Sequence, residues 1–159
     1  LILQISSHGE YSGDVKTTED EAMDYSILAL SGANKGSSDL ENDGIITAND
    51  VSQMNLRNCE LAVLSACQTA LGGQGADGIF GLQRGFKNAG VHSLLMSLKP
   101  VYDESTAKLM MAFYQGIASG KSKRQSLLEA QKALKGQGYK DGKYWAPFIL
   151  LDGLDEKMR

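Results

Sequence analysis

The run Glu60-Leu-Ala-Val-Leu-Ser65 limits the possible folds more than any other segment. It is too short for a core helix, apolar between its ends and bounded by polar residues. Such a run reads as a strand buried on both faces, which requires a layer of structure on each side of its sheet. Leu1-Ile-Leu-Gln-Ile5, Tyr25-Ser-Ile-Leu-Ala-Leu30, Val91 to Leu98 and Phe148-Ile-Leu-Leu151 are further strand-like stretches. Between them the apolar period changes. Thr47, with Asp50 three residues on, reads as the N-cap of a short helix ending near Asn55. Ile79, Phe80, Leu82, Phe86 and Ala89 keep helical spacing up to Gly90, a C′ glycine. Asp103 to Ser119 repeats it, and Ser122 caps another helix to about Lys135. Residues 10–24 are polar without period and read as a long loop. The alternation predicts an α/β sheet with helices on both faces. With 159 residues, 42% of them hydrophobic, and no linker or repeat, residues 1–159 are expected to form one domain.

Charge and composition exclude several functions. Lysine and arginine number 16 against 19 acidic side chains, a net charge of −3, so no broad basic footprint for direct nucleic-acid contact is expected. The densest positive cluster, Lys121, Lys123 and Arg124, reads as a solvated helix start. There is no apolar run of about 18 residues, so no membrane span is expected. Two cysteines, Cys59 and Cys67, are too few for a disulfide scaffold and fit a reduced, cytoplasmic setting. Leu1 in place of a start methionine implies a piece of a longer parent, whose location the missing leader does not fix.

Two motif resemblances fail on spacing. Gly116 to Ser122 hints at a phosphate loop, but only three residues separate its glycines where four are needed. Asp39-Leu-Glu41-Asn-Asp43-Gly44, with Asp50 at position 12, imitates a Ca²⁺ loop. It lacks the bidentate glutamate and an entering helix, so it reads as an acidic turn.

His8 and Cys67 remain. Each is expected just past the end of a predicted strand, where an open α/β sheet lines its ligand crevice. A thiolate is a strong nucleophile, and a neighbouring imidazole can help form it or protonate a leaving amine. Gly9 follows His8, and without a Cβ its N–H can approach a carbonyl oxygen closely. Cys59, in a polar loop with no base beside it, and His92, at the start of a strand, carry no such expectation.

Ser7-His8-Gly9, Asp43-Gly44-Ile45-Ile46-Thr47-Ala48 and Leu64-Ser65-Ala66-Cys67-Gln68-Thr69-Ala70-Leu71-Gly72 resemble the successive signatures of the CHAT domain. This is a caspase-like peptidase domain often appended to tetratricopeptide repeats. The similarity continues through Gly78 to Phe86, Ser97-Leu98, Asp103 to Thr106 and Tyr144-Trp145-Ala146-Pro147-Phe148. It implies a caspase-like α/β/α sandwich with a mostly parallel central sheet, whose first strands precede Leu1 in a larger parent chain. It also implies that Cys67 is the nucleophile, that His8 is the general acid/base, and that the Gly9 and Cys67 amides form the oxyanion hole.

Asp103 resembles the acid that the separase-like branch uses to receive a basic side chain. Following the strand that ends near Leu98, it is expected at the same rim; alternatively it only caps its helix. The expected activity is that of a cysteine endopeptidase cutting a protein or peptide after a basic residue. It needs no metal or organic cofactor and is regulated by a sensor region or partner such as tetratricopeptide repeats. A catalytically inactive caspase-like scaffold or binding module remains the alternative, and a Ca²⁺-regulated module using residues 39–50 a third.

Overall fold

The computed structural model describes residues 1–11, 21–33, 44–67 and 77–158. The expected central strand forms as β4 (Leu61–Cys67), with Leu61 to Leu64 all but inaccessible to solvent. On one side it pairs in parallel with β1 (Ile2–Tyr11), on the other in parallel with β5 (Leu94–Ser97). β2 (Ser26–Ala29) pairs antiparallel with β1, β3 (Ile45–Thr47) antiparallel with β2, and β6 (Phe148–Leu151) antiparallel with β5. The sheet order is therefore β3-β2-β1-β4-β5-β6, with β1, β3, β4 and β5 running one way.

The helices divide between the two faces. α1 (Glu21–Tyr25), α2 (Ala48–Ser52) and α3 (Asp77–Asn88) pack on one face, where Leu28, Val51, Leu82 and Phe86 form a core. α4 (Asp103–Ala118) and α5 (Lys123–Gly136) pack on the other, where Leu61, Val63 and Leu95 meet Leu109, Phe113 and Leu134. This is a caspase-like α/β/α sandwich. Burying each such Leu or Phe contributes roughly 1.5–3 kcal/mol, so Leu61 to Leu64 of β4, buried on both faces, anchor both cores. α4 and α5 leave part of their sheet face open: Ile2, Gln4, Ser6 and His8 of β1 are exposed, while Leu3 and Ile5 pack into the α1–α3 core. The Tyr114 hydroxyl of α4 donates to Gln4 Oε1 at 2.6 Å, and burial raises the pKa of its phenol.

Most sequence-derived elements recur. Thr47 closes a capping box: its amide donates to the Asp50 carboxylate at 2.8 Å, and the Asp50 amide donates to its hydroxyl at 3.0 Å. Ser122 caps α5, accepting from the Gln125 amide at 3.2 Å. Four expectations need correction. β1 does not stop at Ser6 but runs on to Tyr11, because β4 pairs with it as far as His8 and β2 from His8 to Tyr11. Residues 21–24, expected in a loop, form α1 together with Tyr25, expected to open a strand. β5 begins only at Leu94, since the chain bends at His92, whose amide donates to the Cys59 carbonyl.

The fourth concerns Lys123, expected in a solvated cluster but only 1% exposed. Its ammonium donates to the Ser93 hydroxyl at 2.9 Å and lies 3.7 Å from the Glu156 carboxylate. The Lys123 and Arg124 amides donate to the carbonyls of Glu156 and Leu154, so the segment after β6 closes the start of α5 and gives the buried charge its partners. The acidic residues 39–43 and the glycine-rich residues 72–75 lie outside the described residues.

Two glycines are fixed by geometry. Gly90 has φ +96°, as a C′ residue requires, and the Val91 amide returns to the Phe86 carbonyl. Gly85 lets α3 touch α2: a Cβ there would lie 2.4 Å from the Ala48 carbonyl oxygen. Gly85→Ala should therefore lower stability by about 1–3 kcal/mol through overpacking. Gly136→Ala, at the end of α5 where a Cβ meets nothing within 4 Å, should be neutral or stabilising by up to about 1 kcal/mol. Urea unfolding of both variants checks the pair, and equal losses would refute the close α2–α3 contact.

Candidate functional site

Parallel pairing of β1 and β4 places the two expected reactive positions together. The register runs from Ile2 beside Leu61 to His8 beside Cys67, the last pair of the ladder. Adjacent strands lie about 4.8 Å apart, so the Cα atoms of positions 8 and 67 are neighbours. Phase places them on one sheet face. Position 8 continues the row of Gln4, which bonds Tyr114 of α4, and position 67 continues the row of Leu61 and Val63, which belong to the α4–α5 core. The site lies at the carboxyl end of the parallel strands, the end where open α/β sheets bind ligands.

His8 is not past its strand end, as expected, but inside β1, because pairing with Ala29 of β2 carries the strand onward. Cys67 is the last residue of β4. The imidazole of His8 is exposed, in the part of the sheet face that α4 leaves open. Ser7, on the opposite face, donates its hydroxyl to the Ala29 carbonyl and ties β1 to the hairpin. Gly9 is buried opposite Leu28, one residue beyond the final β1–β4 pair. Past that pair, the side of β1 that faced β4 has no strand partner among the described residues.

Asp103 reaches the same end of the sheet by a different route. It is the first residue of α4 and follows β5, so it sits on the other side of β4 from His8. It does not cap its helix: the N-cap is Tyr102, and no side-chain hydrogen bond closes it. The Asp103 carboxylate is exposed rather than in a partly dry pocket, and has no hydrogen bond or ion pair among the described residues. The structure thus brings His8, Gly9 and Cys67 into one strand-end cluster and leaves Asp103 at the rim. The sequence reading missed Tyr102, which is 50% exposed beside Asp103; an aromatic immediately before a helical acid, in a segment also holding Pro100, was the available signal.

The other cysteine is inert by position. Cys59 is buried, and its thiol donates to the Leu61 carbonyl at 3.4 Å. His92 is exposed at the opposite end of the sheet, before β5.

The family comparison agrees with this architecture. A family model for the CHAT domain matches residues 2–153, and the chain belongs to that family. Two curated relatives are called tetratricopeptide repeat protein 28. The mouse protein is 34% identical over 115 residues, which is 72% of this chain and 5% of the relative. The human protein is 32% identical over the same length and shares. The chain thus spans a small fraction of the relatives it matches. Among the described residues, no helix is long and apolar enough to cross a membrane.

The β1–β4 register carries a direct geometric test. A His8→Cys variant should be bridged to Cys67 by a short bifunctional thiol reagent that spans about one strand spacing. Ser7→Cys, one residue away but on the opposite face, should not. Peptide mapping of the bridged product reads the outcome, and bridging from position 7 in preference to position 8 would contradict the register.

Proposed function

We propose that the chain is a cysteine endopeptidase domain in which His8 and Cys67 act as a dyad on a protein substrate. The observation that carries this reading is the pairing of positions 8 and 67 at the final rung of the parallel ladder. In the proposed reaction the Cys67 sulfur attacks the scissile carbonyl carbon while its proton passes to His8. The Gly9 and Cys67 amides hold the oxyanion, and His8 then protonates the departing amine as the C–N bond breaks. Water, deprotonated by His8, attacks the thioester and releases the carboxylate and the thiol. Every group this chemistry needs is supplied by the protein.

Asp103 is proposed to receive a basic side chain before the scissile bond through charge-assisted hydrogen bonds. Support comes from its exposed carboxylate at the carboxyl end of the sheet, which has no partner among the described residues. Control by a tetratricopeptide-repeat region in a larger parent chain is supported by the relatives, which carry that name. The same names, which mention no hydrolase, favour the second reading, a binding module without catalysis.

Cleavage of a peptide library by the protein and its variants decides between them. Cys67→Ala and His8→Ala should each lower kcat/KM by about 10³-fold or more, and the double variant little further, because the two act as one unit. Additive losses would refute a shared mechanism, and no cleavage of any peptide would favour the binding module. Asp103→Asn should lower cleavage after Arg and Lys by about tenfold or more, about 1.4 kcal/mol, with little change in stability. An unaltered profile would remove Asp103 from substrate recognition.

A further inference from the structure

The segments that follow β5 and precede β6 emerge together, because Ser97 pairs with Phe148. They meet α4 and the end of α5 in an aromatic corner. The Tyr102 and Tyr144 rings lie 5.1 Å apart and tilted, and Tyr139 meets Tyr144 edge-on at 5.3 Å. Each of these rings, and that of neighbouring Trp145, has an ammonium over it. Lys108 lies 4.9 Å from the Tyr139 ring centre, Lys143 lies 5.0 Å from that of Tyr144, and Lys135 sits 3.4 Å above Trp145.

The charges are unequally matched. Lys108 donates to Glu104 at 2.7 Å and the Tyr139 hydroxyl donates to the same carboxylate at 2.8 Å, which holds the Glu104 carboxyl below its usual range. Lys143 lies 3.4 Å from Asp141. Exposed Lys135 and Lys140 have no carboxylate partner among the described residues. The indole N–H of Trp145, beneath Lys135, is buried without an acceptor among them. Lys108, Lys135, Lys140 and Lys143 thus outnumber Asp103, Glu104 and Asp141 by one, so this aromatic corner carries a small positive excess on a chain whose net charge is −3.

We propose that this corner is a docking surface for an acidic peptide segment of a partner protein. Packed tyrosines offer rigid contact area at small entropic cost, as binding surfaces generally use them. The lysines resting on the rings are held in place, and their outward N–H groups match carboxylates. A single-stranded nucleic acid would need bare ring faces for its bases to stack on, and here ammonium groups lie over those faces. The proposal does not depend on peptidase activity.

Trp145 is the only tryptophan in the sequence, so its emission reports on this corner directly. The protein is titrated with a labelled glutamate-rich peptide, with the same peptide carrying glutamine, and with an oligothymidine of equal charge, reading anisotropy and Trp145 emission. The acidic peptide is expected to bind at least about tenfold more tightly than the other two and to shift the emission. It should weaken as ionic strength rises from about 0.01 to about 0.15 M. Lys135→Gln with Lys143→Gln, both exposed positions, should lose about tenfold in affinity. Equal binding of the glutamine peptide, tighter binding of oligothymidine, unchanged Trp145 emission or no binding at all would overturn the proposal. These arms use the unaltered protein, so they decide the matter even if the double variant fails to fold.

Discussion

Seven successive pairs join β1 to β4, and the candidate site depends on that ladder keeping its register. β4 cannot set the register by alternation, since Leu61 to Leu64 are buried on both faces. β1 can, because Leu3 and Ile5 enter the α1–α3 core while Gln4 and Ser6 remain exposed. A slip by one residue would exchange these rows, burying an amide and a hydroxyl and exposing two aliphatic side chains. The apolar pattern of five residues at the start of the chain therefore fixes where His8 stands. The hairpin with β2 and the Ser7 bond to Ala29 hold the far half of β1 against the same error.

Once β1 and β4 are aligned, the two cores divide the remaining work. The α4–α5 layer covers β4 and β5 and stops near Tyr114, whose bond to Gln4 marks its edge. Beyond that edge the sheet face is open, and His8 is accessible there. Lys123 closes the opposite end. Its burial against Ser93 and Glu156 binds the segment after β6 to the start of α5 and so restrains β6, which among the described residues is an edge strand paired only with β5. An edge strand of four residues has few ladder bonds of its own, so such a tie is effective.

Much of this is written locally in the sequence. The capping box at Thr47 and Asp50, the Ser122 cap, the Gly90 C′ turn and the buried run of β4 each depend on residues within a few positions of one another. What escaped the sequence reading depends on distant partners. Polar Ser6 to Tyr11 becomes strand only because β4 lies beside Ser6 to His8 and β2 comes back beside His8 to Tyr11. Lys123 is buried only because the chain returns from β6. His8 and Cys67 were legible as a pair from their neighbours, but their shared rung also requires β4 to lie beside β1, a pairing of segments distant in the chain. The aromatic corner was invisible for the same reason. Its rings come from positions 102, 139, 144 and 145, which only the pairing of β5 with β6 and the packing of α4 on α5 bring together.

The central claim is that one rung of a parallel ladder turns a cysteine and a histidine into a single reactive unit. It is tested most directly by treating the protein with a peptidyl electrophile ending in arginine and mapping the modified residue by mass spectrometry. A single adduct on Cys67, absent from the His8→Ala variant, is the expected result. Modification of buried Cys59 instead, or equal labelling of Cys67 with and without His8, would contradict it.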